Sequence, residues 1–181
     1  MTYIAPLAPA QADAGTAAIL AAVKAKLGMV PNLYATLAKA PAALKSLLQQ
    51  NEAIAGGALS AAEREIVALA ISQANGCHYC LSAHTLLGRK AGLSVEQTRQ
   101  ARAGAGSEAR AAAIASFAKA LVASRGQVSR SALDGYRAAG LSEADLLEIV
   151  ANVAATTFTN YVNNVARTEV DFPAVPVELA A

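Results

Sequence analysis

Tryptophan is absent from this sequence, and aromatic residues fill only 4% of its 181 positions. Strands favour β-branched and aromatic side chains, so a β-sandwich is a poor fit. Long apolar runs are missing too. The most apolar stretch, 111–123, is short and contains Lys119, which excludes a membrane-spanning helix. The first residues, Met1-Thr2-Tyr3-Ile4-Ala5-Pro6, have no basic n-region and no apolar core of a leader peptide, and a cytoplasmic protein is expected. Charge of one sign is lacking: the formal net charge is +2, and the basic residues are scattered. A nucleic-acid-binding surface and a membrane partner are therefore not expected.

What is abundant is alanine. The hydrophobic content is 55%, much of it alanine, which suits closely packed helices with small side chains at their contacts. The chain is long enough for one domain with a real core. Because alanine faces bury little area each, further helix contacts through self-association are expected.

Punctuation divides the chain into helices. An irregular arm, 1–12, carries Pro6 and Pro9. Helices are expected over 16–27, ended by Gly28; over 32–39, with Asn32 as a candidate N-cap; and over 41–55, opened by Pro41 and broken by Gly56-Gly57. Further helices are expected over 60–74, 78–91, 94–103, 108–124, 131–139 and 142–167. Ser60 with Glu63 and Ser94 with Gln97 form capping boxes, each after a staple leucine; Ser142 with Asp145 is a weaker version. Their spacings of 34 and 48 residues exclude a regular solenoid. Asp171-Phe172-Pro173-Ala174-Val175-Pro176 cannot continue a helix, so 168–181 reads as a second irregular arm. The fold class is all-α.

The two cysteines and two histidines all fall within eight consecutive positions, 77–84. Asn75-Gly76 is a turn signal between a helix carrying Glu65 and a helix carrying Cys77, Cys80 and His84. At about 1.5 Å per residue, Glu65 lies roughly 15 Å before the turn and His84 roughly 12 Å after it, so an antiparallel hairpin sets them at similar depth. Cys77, Cys80 and His84 follow each other at i+3 and i+4, on one helix face.

Each group has a chemical role available. A helix N-terminus lowers a thiol's pKa, and the thiolate is the reactive form. His84 can take the Cys80 proton, and Glu65 can fix the tautomer and support the charge of that imidazole. Cys77 is placed to resolve an oxidised Cys80. Two other readings stand beside this one. Zinc wants four ligands, and Cys77, Cys80 and His84 with Glu65 or His78 would have to supply them. A buried structural cysteine pair is the other. His78 reads as a surface residue beside the site. Asn160, Asn163 and Asn164 form a polar run read as a solvated helix face. Tyr34 and Tyr136 read as packing residues, and Arg64 as a residue pointing away from Glu65 toward a salt link elsewhere.

The pattern Glu65, eleven residues, Cys77-x2-Cys80-x3-His84 resembles the signature of the alkyl hydroperoxidase D branch of the carboxymuconolactone decarboxylase-like superfamily. Gly28-Met29-Val30-Pro31-Asn32, the segment from Leu59 to Glu65, and the segment from Asn163 to Asp171-Phe172-Pro173 resemble flanking motifs of its peroxidase-related subgroup. The resemblance implies an all-α fold of antiparallel helical hairpins, assembly as a trimer or hexamer, and a thiol-dependent hydroperoxide reductase; no cofactor or metal is expected. It implies Cys80 as the peroxide-reactive cysteine, Cys77 as its more exposed disulfide partner, and His84 with Glu65 as the proton relay. The implied reductant is a dithiol such as a lipoylated carrier protein. Well-studied peroxidase members carry histidine immediately before the second cysteine; here Tyr79 stands there and His78 one place earlier. The name-giving decarboxylase branch lacks the Cys-x-x-Cys, so lactone decarboxylation is not expected. A thiol–disulfide oxidoreductase or redox sensor with little peroxidase turnover is the alternative function.

Overall fold

Serine and aspartate caps set where several of the helices begin. In a computed structural model of the chain, which describes residues 1–179, these caps open a series of α-helices, and no strand occurs among the described residues. The helices are α1 (Ala14–Leu27), α2 (Asn32–Leu37), α3 (Pro41–Ala55), α4 (Ala61–Ala74), α5 (His78–Lys90), α6 (Val95–Ala103), α7 (Ala109–Ser124), α8 (Arg130–Ala138) and α9 (Glu143–Ala166). The boxes at Ser60 and Ser94 are both closed, and so is the one at Ser142: its hydroxyl accepts from Asp145 N, and the Asp145 carboxylate accepts from Ser142 N. Asp145 works there because Arg110 clamps the same carboxylate, at 2.8 Å, while also holding Glu63.

Some boundaries and caps differ from expectation, and α2 ends at Leu37, short of the expected residue 39. Helix α1 starts before Thr16, because Asp13 caps it and accepts from Thr16 N at 2.7 Å. Pro31, not Asn32, sits at the N-cap of α2; Asn32 is its first residue, and its N–H goes to the Asp171 carboxylate instead. Helix α8 starts from Ser129, whose hydroxyl accepts from Ala132 N.

Helix α4 is the hub. Its residues from Ile66 to Ser72 are all buried, and it packs against α5, α6, α7 and α9. A helix apolar on every side belongs inside its neighbours. One core joins α4 to α6, α7 and the first half of α9 through Leu69, Ile71, Ile114, Phe117 and Ile149. A second core joins α2 and α3 to the cysteines through Leu33, Leu37, Leu44, Leu47 and Tyr79.

The two arms are irregular but fastened. The N-terminal arm includes a single 3₁₀ turn, Pro9–Gln11, and its Tyr3 and Ile4 N–H groups both donate to Ala166 O. The C-terminal arm crosses the α4–α5–α6 surface: Val175 N donates to Ser82 Oγ, Gln73 Nε2 to Val177 O, and Arg102 to Pro176 O and Val177 O. The last two positions of the expected 168–181 arm lie outside the described residues. No helix among the described residues is long and apolar enough to cross a membrane.

Candidate active site

The turn between α4 and α5 builds the site. Asn75 ends α4, Gly76 takes φ +59°, a left-handed value suited to glycine, and Cys77 N donates back to Ser72 O at 2.9 Å. Cys77 then serves as the N-cap of α5, its sulfur accepting from Cys80 N at 3.3 Å. Both cysteines are reduced and buried, at 0% and 2% exposure. The implied greater exposure of Cys77 is thus not found. As a cap residue it turns inward onto the first turn of its own helix, where α2, α3 and the C-terminal arm cover it.

Glu65 and His84 meet across the hairpin, His84 Nδ1 lying 2.8 Å from Glu65 Oε2. With Nδ1–H donated to the carboxylate, Nε2 is the ring nitrogen left to accept a proton. A small residue, Gly88, stands at this contact. A Cβ on Gly88, one turn after His84, would stand 3.6 Å from the Glu65 Cβ and 3.1 Å from Leu93 Cδ1.

The electrostatics separate the two thiols. Burial raises Cys80, but the Cys77 S–H donated to it, the His84 charge and the amides of Asn163 and Asn160 outweigh that and hold it down at about 7. Cys77 is pushed far up, first by giving its hydrogen bond to Cys80 and then by burial. Burial lowers His84, yet Glu65 reverses this through its charge and hydrogen bond, and the imidazole ends above its ordinary value. The surroundings thus favour the thiolate at Cys80 and the thiol at Cys77, and Glu65 favours the charged form of His84.

Helix α9 supplies what the sequence reading assigned to solvent. Asn160 and Asn163 are 0% and 3% exposed, not a solvated face. Asn163 Nδ2 donates to Cys80 Sγ at 3.2 Å. Asn160 is locked by Asn75 Nδ2 at 2.9 Å and reaches Ser72 Oγ at 3.3 Å, while Asn164 Nδ2 donates to Asn75 O. The readable signal was the i, i+3 spacing of two asparagines in an otherwise apolar helix. Amides placed there face the packed side, where they need partners.

A cavity of about 560 Å³ opens onto Cys80, Glu65 and His84. Leu27, Met29, Leu33, Ile54, Leu86 and Phe172 give it apolar walls. Tyr34, expected as a packing residue, lines it with its hydroxyl paired to Asn51. Arg64 lines it as well. Its guanidinium donates to Leu59 O and makes no salt link among the described residues, contrary to the expected ion pair. Tyr136 does pack as expected, its ring 4.8 Å from Phe117. The two flanking motifs meet at this cavity: Asn32 N donates to Asp171 Oδ2 at 2.7 Å, Asn32 Nδ2 to Glu169 O at 3.0 Å, and Phe172 lies edge-on to Tyr79. Tyr79, where peroxidase members carry histidine, thus braces the arm, its hydroxyl accepting from Leu33 N.

His78 lines a second, open hollow with Met1, Tyr3, Gly76, Asn163 and Arg167, away from the Glu65–His84 pair. Among the described residues no three His, Cys, Asp or Glu side chains gather in a way that could hold a metal ion, so the zinc reading lacks its donor set.

This architecture is an all-helical fold of the alkyl hydroperoxidase D-like kind. Residues 41–123 match the Carboxymuconolactone decarboxylase family. Solved structures share the fold. An alkylhydroperoxidase AhpD core, uncharacterized peroxidase-related protein from Ralstonia eutropha JMP134 is 23% identical, with TM-score 0.85 and coverage of 94% of this chain and 92% of that one. An uncharacterized peroxidase-related protein from Silicibacter sp. TM1040 is 23% identical, with TM-score 0.79 and coverage of 87% and 85%. The debrominase Bmp8 in complex with 2,3,4-tribromopyrrole is 20% identical, with TM-score 0.78 and coverage of 94% and 92%. No curated protein matches the sequence.

Proposed function

We propose that the protein is a cysteine-based hydroperoxide reductase in which Cys80 attacks and Cys77 resolves. The observation that carries this reading is the unequal setting of two adjacent thiols: Asn163 Nδ2 donates to Cys80 Sγ while Cys77 caps the same helix beside it, surroundings that lower the Cys80 thiol and raise the Cys77 one. The Cys80 thiolate attacks the distal peroxide oxygen, the O–O bond breaks, and the departing alkoxide takes a proton from His84. Sulfur is oxidised to a sulfenic acid and the peroxide is reduced to an alcohol. Cys77 then attacks the sulfenic sulfur; a disulfide forms and water leaves. An external dithiol restores both thiols by exchange, becoming a disulfide itself. Glu65 orients the His84 ring and supports its charge until that proton is given up.

The peroxidase-related names of two similar folds support this reading. The buried position of Cys77 bears on the reductant: a small dithiol, or the flexible dithiol arm of a lipoylated carrier, reaches it more readily than a flat protein surface does. Trimeric or hexameric assembly and a cytoplasmic setting belong to the same proposal.

The Bmp8 fold favours a second reading, reductive debromination of a halogenated aromatic, in which the same dithiol gives two electrons, a C–Br bond becomes C–H, and bromide leaves. The apolar cavity with Tyr34, Tyr79 and Phe172 could take such a ring. The deciding assay feeds the reduced protein an organic hydroperoxide, a bromopyrrole or a model disulfide in turn, with excess dithiol. Turnover of hydroperoxide, lost in Cys80→Ser, is the expected result. Bromide release or disulfide exchange without peroxide consumption would move the protein to one of the alternatives.

A further inference from the structure

From the charges around the cavity we infer that its substrate is an anionic amphiphile, an organic hydroperoxide whose apolar body carries a carboxylate recognised by Arg64 and Lys90; this rests on the peroxidase reading above. Four charged side chains besides His84 line the cavity: Arg64, Glu65, Lys90 and Asp171. Both carboxylates are already engaged, Glu65 with His84 at 2.8 Å and Asp171 with the Asn32 N–H at 2.7 Å. Neither cation forms a salt bridge among the described residues. A ligand entering this space therefore meets two cations without carboxylate partners, and an anion is the group that completes them.

Their placement adds a length. Cys80 lies in the first turn of α5, beside the Asn75–Gly76 turn, and Lys90 is the last residue of the same helix. Ten residues of helix separate them by about 15 Å. Arg64, in the first turn of α4, belongs to the same open end of the antiparallel hairpin. Between the reactive sulfur and the cations the lining is apolar: Ala68, Ala83, Leu86, Leu87 and Ile54. Leu27 and Leu87, at 47% and 38% exposure, continue that surface outward. At about 560 Å³ the space exceeds the needs of hydrogen peroxide and falls in the common range for medium-sized organic ligands, roughly 300–1,000 Å³. A hydroperoxide at one end, an extended apolar body and a carboxylate at the other fit this sequence of surfaces, as in a fatty-acid hydroperoxide.

The test separates binding from chemistry. Calorimetry on the reduced protein compares lauric acid with methyl laurate, neither of which can oxidise a thiol. The acid is expected to bind on the order of tenfold tighter, a difference of one charge-assisted contact. The Arg64→Gln/Lys90→Gln double variant, checked for folding by circular dichroism, is expected to bind both alike, while Lys45→Gln keeps the preference. Equal binding of acid and ester by the wild type, or a preference that survives in the double variant, overturns the assignment. Cys80 oxidation by linoleic acid hydroperoxide is then read by mass in a single turnover. An acid preference without oxidation would sink the peroxidase reading and leave the anion site standing. Oxidation without an acid preference would do the reverse.

Discussion

The side-chain amide of Asn163 donates to the sulfur of Cys80 at 3.2 Å, joining the last third of α9 to the reactive end of α5. The amide is buried, and its own Oδ1 has no hydrogen-bond partner among the described residues. Leaving such an atom unpaired costs about 1–3 kcal/mol, so the contact to sulfur holds the side chain in a position that stability alone would not choose. Asn163→Leu removes the donor while keeping the volume. Its expected effect is to move the midpoint of Cys80 alkylation by iodoacetamide from about 7 up toward the ordinary thiol value of about 8.5. Asn163→Asp, which adds like charge, moves it further in the same direction.

In the proposed mechanism, reactivity toward peroxide follows the Cys80 thiolate. With its pKa lowered to about 7, the single-turnover rate is expected to rise through neutral pH and to level above it. Stability follows the same linkage. A lowered folded-state pKa gives Cys80 a stabilising contribution that is complete above the ordinary thiol value and lost as pH falls through about 7. His84 has the opposite sign: its raised pKa stabilises below the ordinary imidazole value, and that contribution is lost as pH rises through the folded value. Thermal melts of the reduced wild type and of Cys80→Ser, compared from pH 6 to pH 9, isolate the cysteine part. The wild type is expected to gain relative to the variant as pH rises.

Glu65 acts through His84. Replacing it with Gln keeps a hydrogen-bonding group near Nδ1 but removes the charge that supports the imidazolium. Peroxide reduction at neutral pH is expected to fall about 10–100-fold. Because His84 lowers Cys80 electrostatically, the alkylation midpoint rises in parallel. A rate loss without that rise would assign Glu65 to folding rather than to the relay.

The spacing of the hairpin depends on Gly88. An added Cβ meets Leu93 at 3.1 Å and Glu65 and Thr98 at 3.6 Å, contacts that a methyl group can make with a small shift of the Leu93 side chain. Gly88→Ala is expected to fold normally and keep its activity. Gly88→Leu overpacks the α4–α5 contact, costs about 1–3 kcal/mol in urea unfolding, and separates Glu65 from His84. Its peroxidase rate is expected to fall more than its stability alone explains.

Much of the helix pattern was readable because its signals are local. Ser60, Ser94 and Ser142 each carry their capping partner three residues on, and Gly76 marks the turn that brings Glu65 and His84 together. What escaped depends on contacts far apart in sequence. Asn32 looks like a cap from its neighbours alone; its N–H is claimed by Asp171 from the other end of the chain. Asn160 and Asn163 look solvated in one dimension and are buried because α9 lays that face on α4 and α5. Arg64 looks like a surface ion-pair residue, yet it forms no salt bridge among the described residues and lines the cavity, its guanidinium donating to Leu59 O. The inward turn of Cys77 depends on the covering by α2 and α3, which its own four-residue motif does not record.

The order of the two thiols is the centre of the account, and mass spectrometry after one equivalent of hydroperoxide tests it directly. The wild type is expected to show a Cys77–Cys80 disulfide, Cys77→Ser a dimedone-trapped sulfenic acid on Cys80, and Cys80→Ser no oxidation at Cys77. A sulfenic acid on Cys77 in the Cys80→Ser protein, formed at the wild-type rate, would contradict it.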